Sequence, residues 1–244
     1  MTKQATLRPV ASLKDFIKKS SNDISLLSVS FKGTPAVKDL IEAQGIPHTA
    51  IFGLKINGER KSLTYNLTGG EEITAYPFEE ISKSNLSSEF ISPEKFILDI
   101  HLGKLTKKLR LFGFNAILNP NFTEQDIIHI SNAENRMILT RNIGLLRHGD
   151  TQQGYWVRNT DPDKQLRELF NRFELSKNIN PFNRCMECNG RLVRVALAEV
   201  QEKVPPKVQQ KHSLFYQCQE CQKVYWQGSH FKDFKKKVDL LQSL

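Results

Sequence analysis

Phe96-Ile97-Leu98-Asp99 and, further on, Arg136-Met137-Ile138-Leu139-Thr140-Arg141-Asn142 are two apolar runs of strand length, and each ends in polar residues. Between them the apolar positions change to helical spacing, first at Leu102, Leu105, Leu109 and Phe112 and later at Ile127, Ile128 and Ile130. Strands that alternate with helices predict a parallel sheet. Its crossovers are right-handed, and ligands bind outside the carboxyl ends of its strands. Asp99 and Asn142 are therefore expected along one rim of this sheet.

The first helix carries Lys104, Lys107, Lys108 and Arg110 around its apolar stripe and stops at Gly113. No acid occurs between His101 and Gly113, so no i,i+4 pair neutralises the run. It reads either as a phosphate-facing helix or as a solvated face. After a short strand at 115–118, Thr123 is expected to cap the second helix with Asp126 in a capping box. Glu124 stands beside that cap, as a partner of the helix dipole or as part of a site. A strand is expected at 155–158, and Asp161-Pro162 opens a further helix through Gln165. Carboxylates gathered on such a rim suit Mg²⁺ or Mn²⁺, hard cations that take oxygen ligands.

Upstream, the run 25–31 predicts a strand and 36–44 a helix with Val37, Leu40 and Ile41 on one face. Strand candidates follow at 52–56, 62–65 and 72–76, with Asn57-Gly58 as a hairpin turn. Strand, helix, hairpin and strand is the order of a β-grasp domain, assigned to residues 1–82. His48, in a turn after proline, reads as structural, and Gly69-Gly70 as a turn. The Ser- and Asn-rich stretch 82–92 reads as a linker.

All four cysteines fall in two pairs, Cys185-x-x-Cys188 and Cys218-x-x-Cys221. Two such knuckles predict a closed, structural Zn²⁺ site in a zinc ribbon covering 181–244. The segment 191–200 reads as a hairpin arm of that ribbon. Phe231, Phe234, Val238 and Leu241 predict an amphipathic tail helix, and His230 is a spare ligand or a residue facing nucleic acid.

The 244-residue chain carries a formal charge of +9, which suggests a polyanion partner. Its N-terminus lacks the apolar core of a signal peptide, and no apolar run approaches a membrane span. A cytoplasmic protein with no membrane partner is the expectation.

Several motifs together resemble a known family. Val37-Lys38-Asp39-Leu40-Ile41-Glu42, Gly45-Ile46-Pro47-His48-Thr49 and Gly70 to Pro77 are similar to a ubiquitin-like domain that precedes a bacterial RNase domain. Leu98-Asp99-x-x-Leu102-Gly103-Lys104-Leu105, Leu109-Arg110-x-x-Gly113-Phe114 and Arg136-x-x-Leu139-Thr140-Arg141 resemble a PIN-like RNase family, which also supplies the C-terminal domain of an animal mutator exonuclease. The likeness continues through Gln165-Leu166, Arg184-Cys185-x-x-Cys188-Asn189-Gly190 and Tyr225-Trp226-x-Gly228-Ser229-His230. It implies a PIN-like α/β domain over 93–180 and an acidic metal site. That site uses the aspartate after the first strand, acids opening the next helix and the aspartate of a Thr-Arg-Asp run. Asp99 and Glu124 match, Thr123 stands where a second helix aspartate is expected, and Asn142 replaces the last aspartate. An amide keeps an oxygen ligand and loses a negative charge.

The expected protein is a metal-dependent endoribonuclease with Asp99, Glu124 and a weakened Asn142 on Mg²⁺ or Mn²⁺. Lys104, Lys107, Lys108, Arg110 and Arg141 are expected on RNA phosphates. The alternative is a non-catalytic RNA-binding protein on the same scaffold. The N-terminal domain is expected to bind or orient a protein partner.

Overall fold

The computed structural model describes residues 1–17, 24–80 and 93–228. The linker at 82–92, His230 and the tail helix expected from the sequence lie outside the described residues. The chain divides into two compact units, Met1–Ile91 with Thr140–Trp156, and Ser92–Leu139 with Val157–Leu244. Among the described residues no helix is long and apolar enough to cross a membrane.

In the first unit the strands are β1 (Lys3–Pro9), β2 (Leu27–Phe31), β3 (Gly53–Ile56), β4 (Glu59–Arg60) and β5 (Glu72–Tyr76), with helix α1 (Val37–Ala43) between β2 and β3. They form one sheet in the order β2-β1-β5-β3-β4. The β1–β5 pair is parallel and its neighbours are antiparallel, which is the β-grasp arrangement. Ala5, Leu7, Ile56 and Ile73 from the strands and Val37, Leu40 and Ile41 from α1 share one core.

Residues 62–65, expected as a strand, are a turn instead. Ala36 offers α1 no side-chain cap, and helix N-termini need partners for their first N–H groups. The Val37 and Lys38 amides donate to Tyr65 O (2.8 Å) and Leu63 O (3.1 Å). The segment thus serves the helix and not a ladder. His48 is structural, as expected: its Nε2 pairs with Thr151 O at 2.7 Å and its Nδ1 with Glu42.

The second unit begins with β6 (Lys95–Leu98), α2 (Gly103–Leu111), β7 (Asn115–Ile117), α3 (Glu124–Glu134) and β8 (Met137–Thr140). β6 pairs in parallel with β7 on one side and β8 on the other. Phe96, Ile97 and Leu98 are all buried, as expected of a strand covered on both faces. At Thr140 the chain enters the first unit, where α4 (Ile143–Arg147) and β9 (Gly154–Trp156) lie. There Ile143 and Trp156 pack on the β-grasp core.

The chain returns through α5 (Pro162–Phe173), capped by Asp161, whose carboxylate accepts from Asp163 N and Lys164 N. The ribbon follows: β10 (Leu192–Val195), α6 (Leu197–Val200), α7 (Pro206–Gln209), β11 (Phe215–Cys218) and β12 (Val224–Trp226). Its three strands form an antiparallel sheet in the order β10-β11-β12. The arm expected at 191–200 stops at Val195. Glu199 accepts from Ala196 N and turns the chain into α6.

Gly113 ends α2 at φ +94°, and a Cβ there would lie 1.9 Å from Asn180 O. Asn180 N donates to Phe112 O at 3.0 Å, so the two backbones cannot separate without losing this bond. Gly113→Ala should lower unfolding free energy by about 3 kcal/mol or more, from strain at a positive φ plus overpacking. Chemical denaturation checks this, and a loss below about 1 kcal/mol would contradict the close approach.

Candidate functional site

Asp99 directly follows β6 and is 7% exposed. Its Oδ1 accepts from His101 N at 2.9 Å, and its own N–H donates to Leu139 O at 3.2 Å. The side chain thereby caps the 3-10 turn Ile100–Leu102, which leads into α2. Glu124 is exposed at the start of α3, after β7. Both follow carboxyl ends of parallel strands in the second unit. Asp126 is committed to its capping box, with its Oδ2 accepting from Thr123 N and Thr123 Oγ1 at 2.8 Å each. Asn142 falls in the first unit, where its Oδ1 accepts from Gly144 N at 2.9 Å and caps α4. Arg141, half-buried, precedes it.

A pocket of about 410 Å³ lies next to the Asp99 turn. Its lining includes His101 and Lys104 together with Thr160 and Gln165. Lys104 is exposed, whereas the other cations of α2 have protein partners. Lys107 pairs with Glu187 at 3.1 Å and Lys108 with Asp163 at 2.8 Å. The acids missing within the helix thus arrive from elsewhere in the chain. Such exposed pairs contribute about 0–1 kcal/mol, so they can yield to a phosphate.

Arg110 departs from its expected role. It is 6% exposed, and its Nε donates to Ala116 O at 2.7 Å while Nη1 donates to Met186 O (3.1 Å) and Glu187 O (2.6 Å). A guanidinium spent on three carbonyls in the interior does not grip phosphate. It ties the β7 edge to the first cysteine knuckle. Asn189 completes the tie: its Oδ1 accepts from Ala116 N at 3.0 Å and its Nδ2 donates to Asn115 Oδ1 at 2.8 Å. The sequence hinted at this only through the Cys-Asn-Gly order after the first knuckle.

Among the described residues, the one group of three or more Cys, His, Asp or Glu side chains able to share a metal is Cys185, Cys188, Cys218 and Cys221. Their sulfurs all lie within 4.8 Å of one another, with 3.6 Å between Cys185 and Cys221 and 3.4 Å between Cys188 and Cys218. Zn–S bonds of about 2.3 Å in a tetrahedron put sulfurs about 3.8 Å apart, so the donor set fits a structural zinc. Burial opposes ionisation of Cys185, but N–H groups of Cys188 and Glu187 and the Tyr225 hydroxyl outweigh it and hold the thiol at about 6. At Cys221 a Lys223 N–H favours the thiolate, but burial and the other three sulfurs push the thiol up to about 12. Four thiolates this close require a cation between them. Gly190 permits the closeness, since a Cβ there would sit 2.8 Å from the Cys218 sulfur.

The comparisons agree with this anatomy. A family model described as Mut7-C RNAse domain matches residues 94–238, and one described as Mut7-C ubiquitin matches residues 2–83. No curated protein and no solved structure matches the chain.

Zinc and the β7 edge should report on each other. The protein should carry one zinc per chain, and chelation should disorder the ribbon first. Asn189→Ala, which leaves the buried Ala116 N–H without its acceptor, should cost about 1–3 kcal/mol and speed zinc loss. Zinc release to a chromogenic chelator, with a thermal melt, measures both; equal release rates would break the link.

Proposed function

This chain belongs to the Mut7-C RNase domain family, and we propose that it is a metal-dependent endoribonuclease of the cytoplasm, cutting RNA phosphodiesters at the Asp99 rim. What supports the reading most is Asp99 itself, a nearly buried carboxylate after a parallel strand, inside the matched span and capping a turn whose His101 lines a pocket together with Lys104. Asp99 and Glu124 are oxygen donors of the kind that hold Mg²⁺ or Mn²⁺. Asn142 occupies the sequence position of the third ligand, as a neutral amide. Such a cation supplies an activated water and charge stabilisation for the leaving oxygen. The His101 N–H fixes the orientation of the Asp99 carboxylate. Lys104 and His101 take the phosphate of the nucleotide in the pocket, with Lys107, Lys108 and Arg141 on neighbouring phosphates. The ubiquitin-like domain brings a protein partner to the enzyme.

The second reading is a non-catalytic RNA-binding protein. It is favoured by the use of Asn142 Oδ1 as the cap of α4 and by the lack of a third acid grouped with Asp99 among the described residues.

Cleavage of single-stranded and structured RNA across a Mg²⁺ and Mn²⁺ titration separates the two. Asp99→Ala should lower cleavage by about 100-fold or more and leave RNA affinity nearly unchanged. Asn142→Asp should raise metal-dependent cleavage and, without metal, lower thermal stability through added like charge. If wild type and Asn142→Asp both fail to cleave at any metal concentration while still binding RNA, the non-catalytic reading holds.

The α2 lysines generate a separate expectation. RNA affinity should fall steeply with salt, and replacing Lys104, Lys107 and Lys108 together should flatten the dependence by about 0.7 for each phosphate no longer neutralised. An unchanged slope in anisotropy titrations would return the lysines to a solvated face.

A further inference from the structure

Arg184 and Arg191 are direct partners across an isolated antiparallel bridge at the base of the first cysteine knuckle. The flanking bonds run from Cys185 N to Gly190 O (2.8 Å) and from Leu192 N to Asn183 O (3.2 Å). That pattern makes Arg184 and Arg191 a non-hydrogen-bonded pair, the closer kind, with Cα atoms about 4.5 Å apart. Like charges directly opposite each other are destabilising.

Among the described residues no opposite charge relieves the repulsion. Among the described residues neither guanidinium has a carboxylate within ion-pair distance. Their polar contacts are long, 3.4 Å from Arg184 Nη1 to Asn189 O and 3.4 Å from Arg191 Nη1 to Asn183 Oδ1. Arg184 Nε is buried and makes no hydrogen bond. Arg136 brings a third positive charge near enough to act on Arg184, though Glu134 neutralises it at 2.6 Å. Two uncompensated guanidiniums and an idle donor remain.

Their place in the fold is equally defined. Arg136 immediately precedes β8, and Asn115, which both Arg136 and Asn189 contact, opens β7. The cluster therefore stands at the amino ends of the parallel strands. Asp99 follows the carboxyl end of β6, about 13 Å away along a four-residue strand.

We propose that Arg184 and Arg191 form a phosphate-binding site for the RNA backbone, at the end of the parallel sheet opposite Asp99. The choice of RNA over free phosphate rests on the ribonuclease reading; the choice of an anion rests on the arginines alone. Guanidinium forks match phosphate oxygens two at a time, and a phosphate between them removes the repulsion. The site grips the strand away from the point of cleavage. It acts on substrate affinity and not on the bond-breaking step.

The test uses the zinc-loaded 244-residue chain with Arg191→Gln alone and Arg184→Gln/Arg191→Gln. Binding of a fluorescein-labelled oligoribonucleotide is followed by anisotropy at several KCl concentrations in an Asp99→Asn background. The double variant should bind about tenfold more weakly, with a salt slope reduced by about 0.7 for each phosphate released. On the Asp99 background the same pair should raise KM and leave kcat within about twofold. The zinc content should stay at one per chain, and the melting temperature should hold or rise because a repulsion is gone. Inorganic phosphate and pyrophosphate form a second arm. Stabilisation of wild type but not of the double variant by either at low millimolar concentration, with RNA affinity equal in the two proteins, would mean a small-anion site and overturn the RNA assignment.

Equal affinity and slope in wild type and variants would overturn the proposal while leaving the nuclease reading intact. A drop in melting temperature for Arg191→Gln with zinc retained would also overturn it, since it would make the pair a structural support. Wild type that binds no RNA even at low salt would end both.

Discussion

An edge strand leaves backbone groups without partners, and the fate of the Ala116 peptide in β7 governs much of this molecule's second unit. Ala116 O accepts from Arg110 and Ala116 N donates to Asn189. One partner comes from α2 and the other from the first cysteine knuckle. Buried backbone groups must be satisfied, so the knuckle has to sit against β7, and α2 has to turn its arginine inward. The zinc ribbon is in this sense the cover of an open sheet edge, a common way to keep such edges from pairing with other chains.

The same requirement redistributes charge. With Arg110 drawn inside, the exposed positive charge of α2 falls to its lysines, and Glu187 of the knuckle reaches out to both Lys107 and Lys223 at 3.1 Å. The knuckle therefore tempers the basic surface that it helps to assemble. Arg184 and Arg191 restore positive charge at the other end of the sheet.

How much of this was legible in the sequence depends on the reach of each interaction. Local ones read well. The Thr123 capping box, the Asp161 cap, β5 and both cysteine pairs follow from residues within a few positions of each other. Strand β1 went unread because its buried positions are only Ala5, Leu7 and Pro9, a small residue, one large apolar residue and a proline, set among polar ones. Residues 62–65 had the composition of a strand, but the open N-terminus of α1 claimed their carbonyls. Arg110 looked like its lysine neighbours, since only long-range contacts decide that it turns inward. For the candidate acids the sequence supplied Asp99 at a strand end, whereas the cap formed by Asn142 belongs to its own local turn.

The excursion from Thr140 to Trp156 has a consequence for how the chain is made. Thr49 Oγ1 donates to Leu146 O at 3.2 Å, His48 binds Thr151 O, and Trp156 meets Phe16 with ring centroids 5.0 Å apart. The β-grasp core is thus finished by residues that leave the ribosome well after the domain's own strands. Cotranslational folding usually completes domains in order from the N-terminus. Here the first must wait, its hydrophobic face partly open, while β6, α2, β7, α3 and β8 are synthesised. A nascent chain stalled before residue 156 would present that face to chaperones, and cutting the chain between β5 and β6 would yield two incomplete pieces, not two domains.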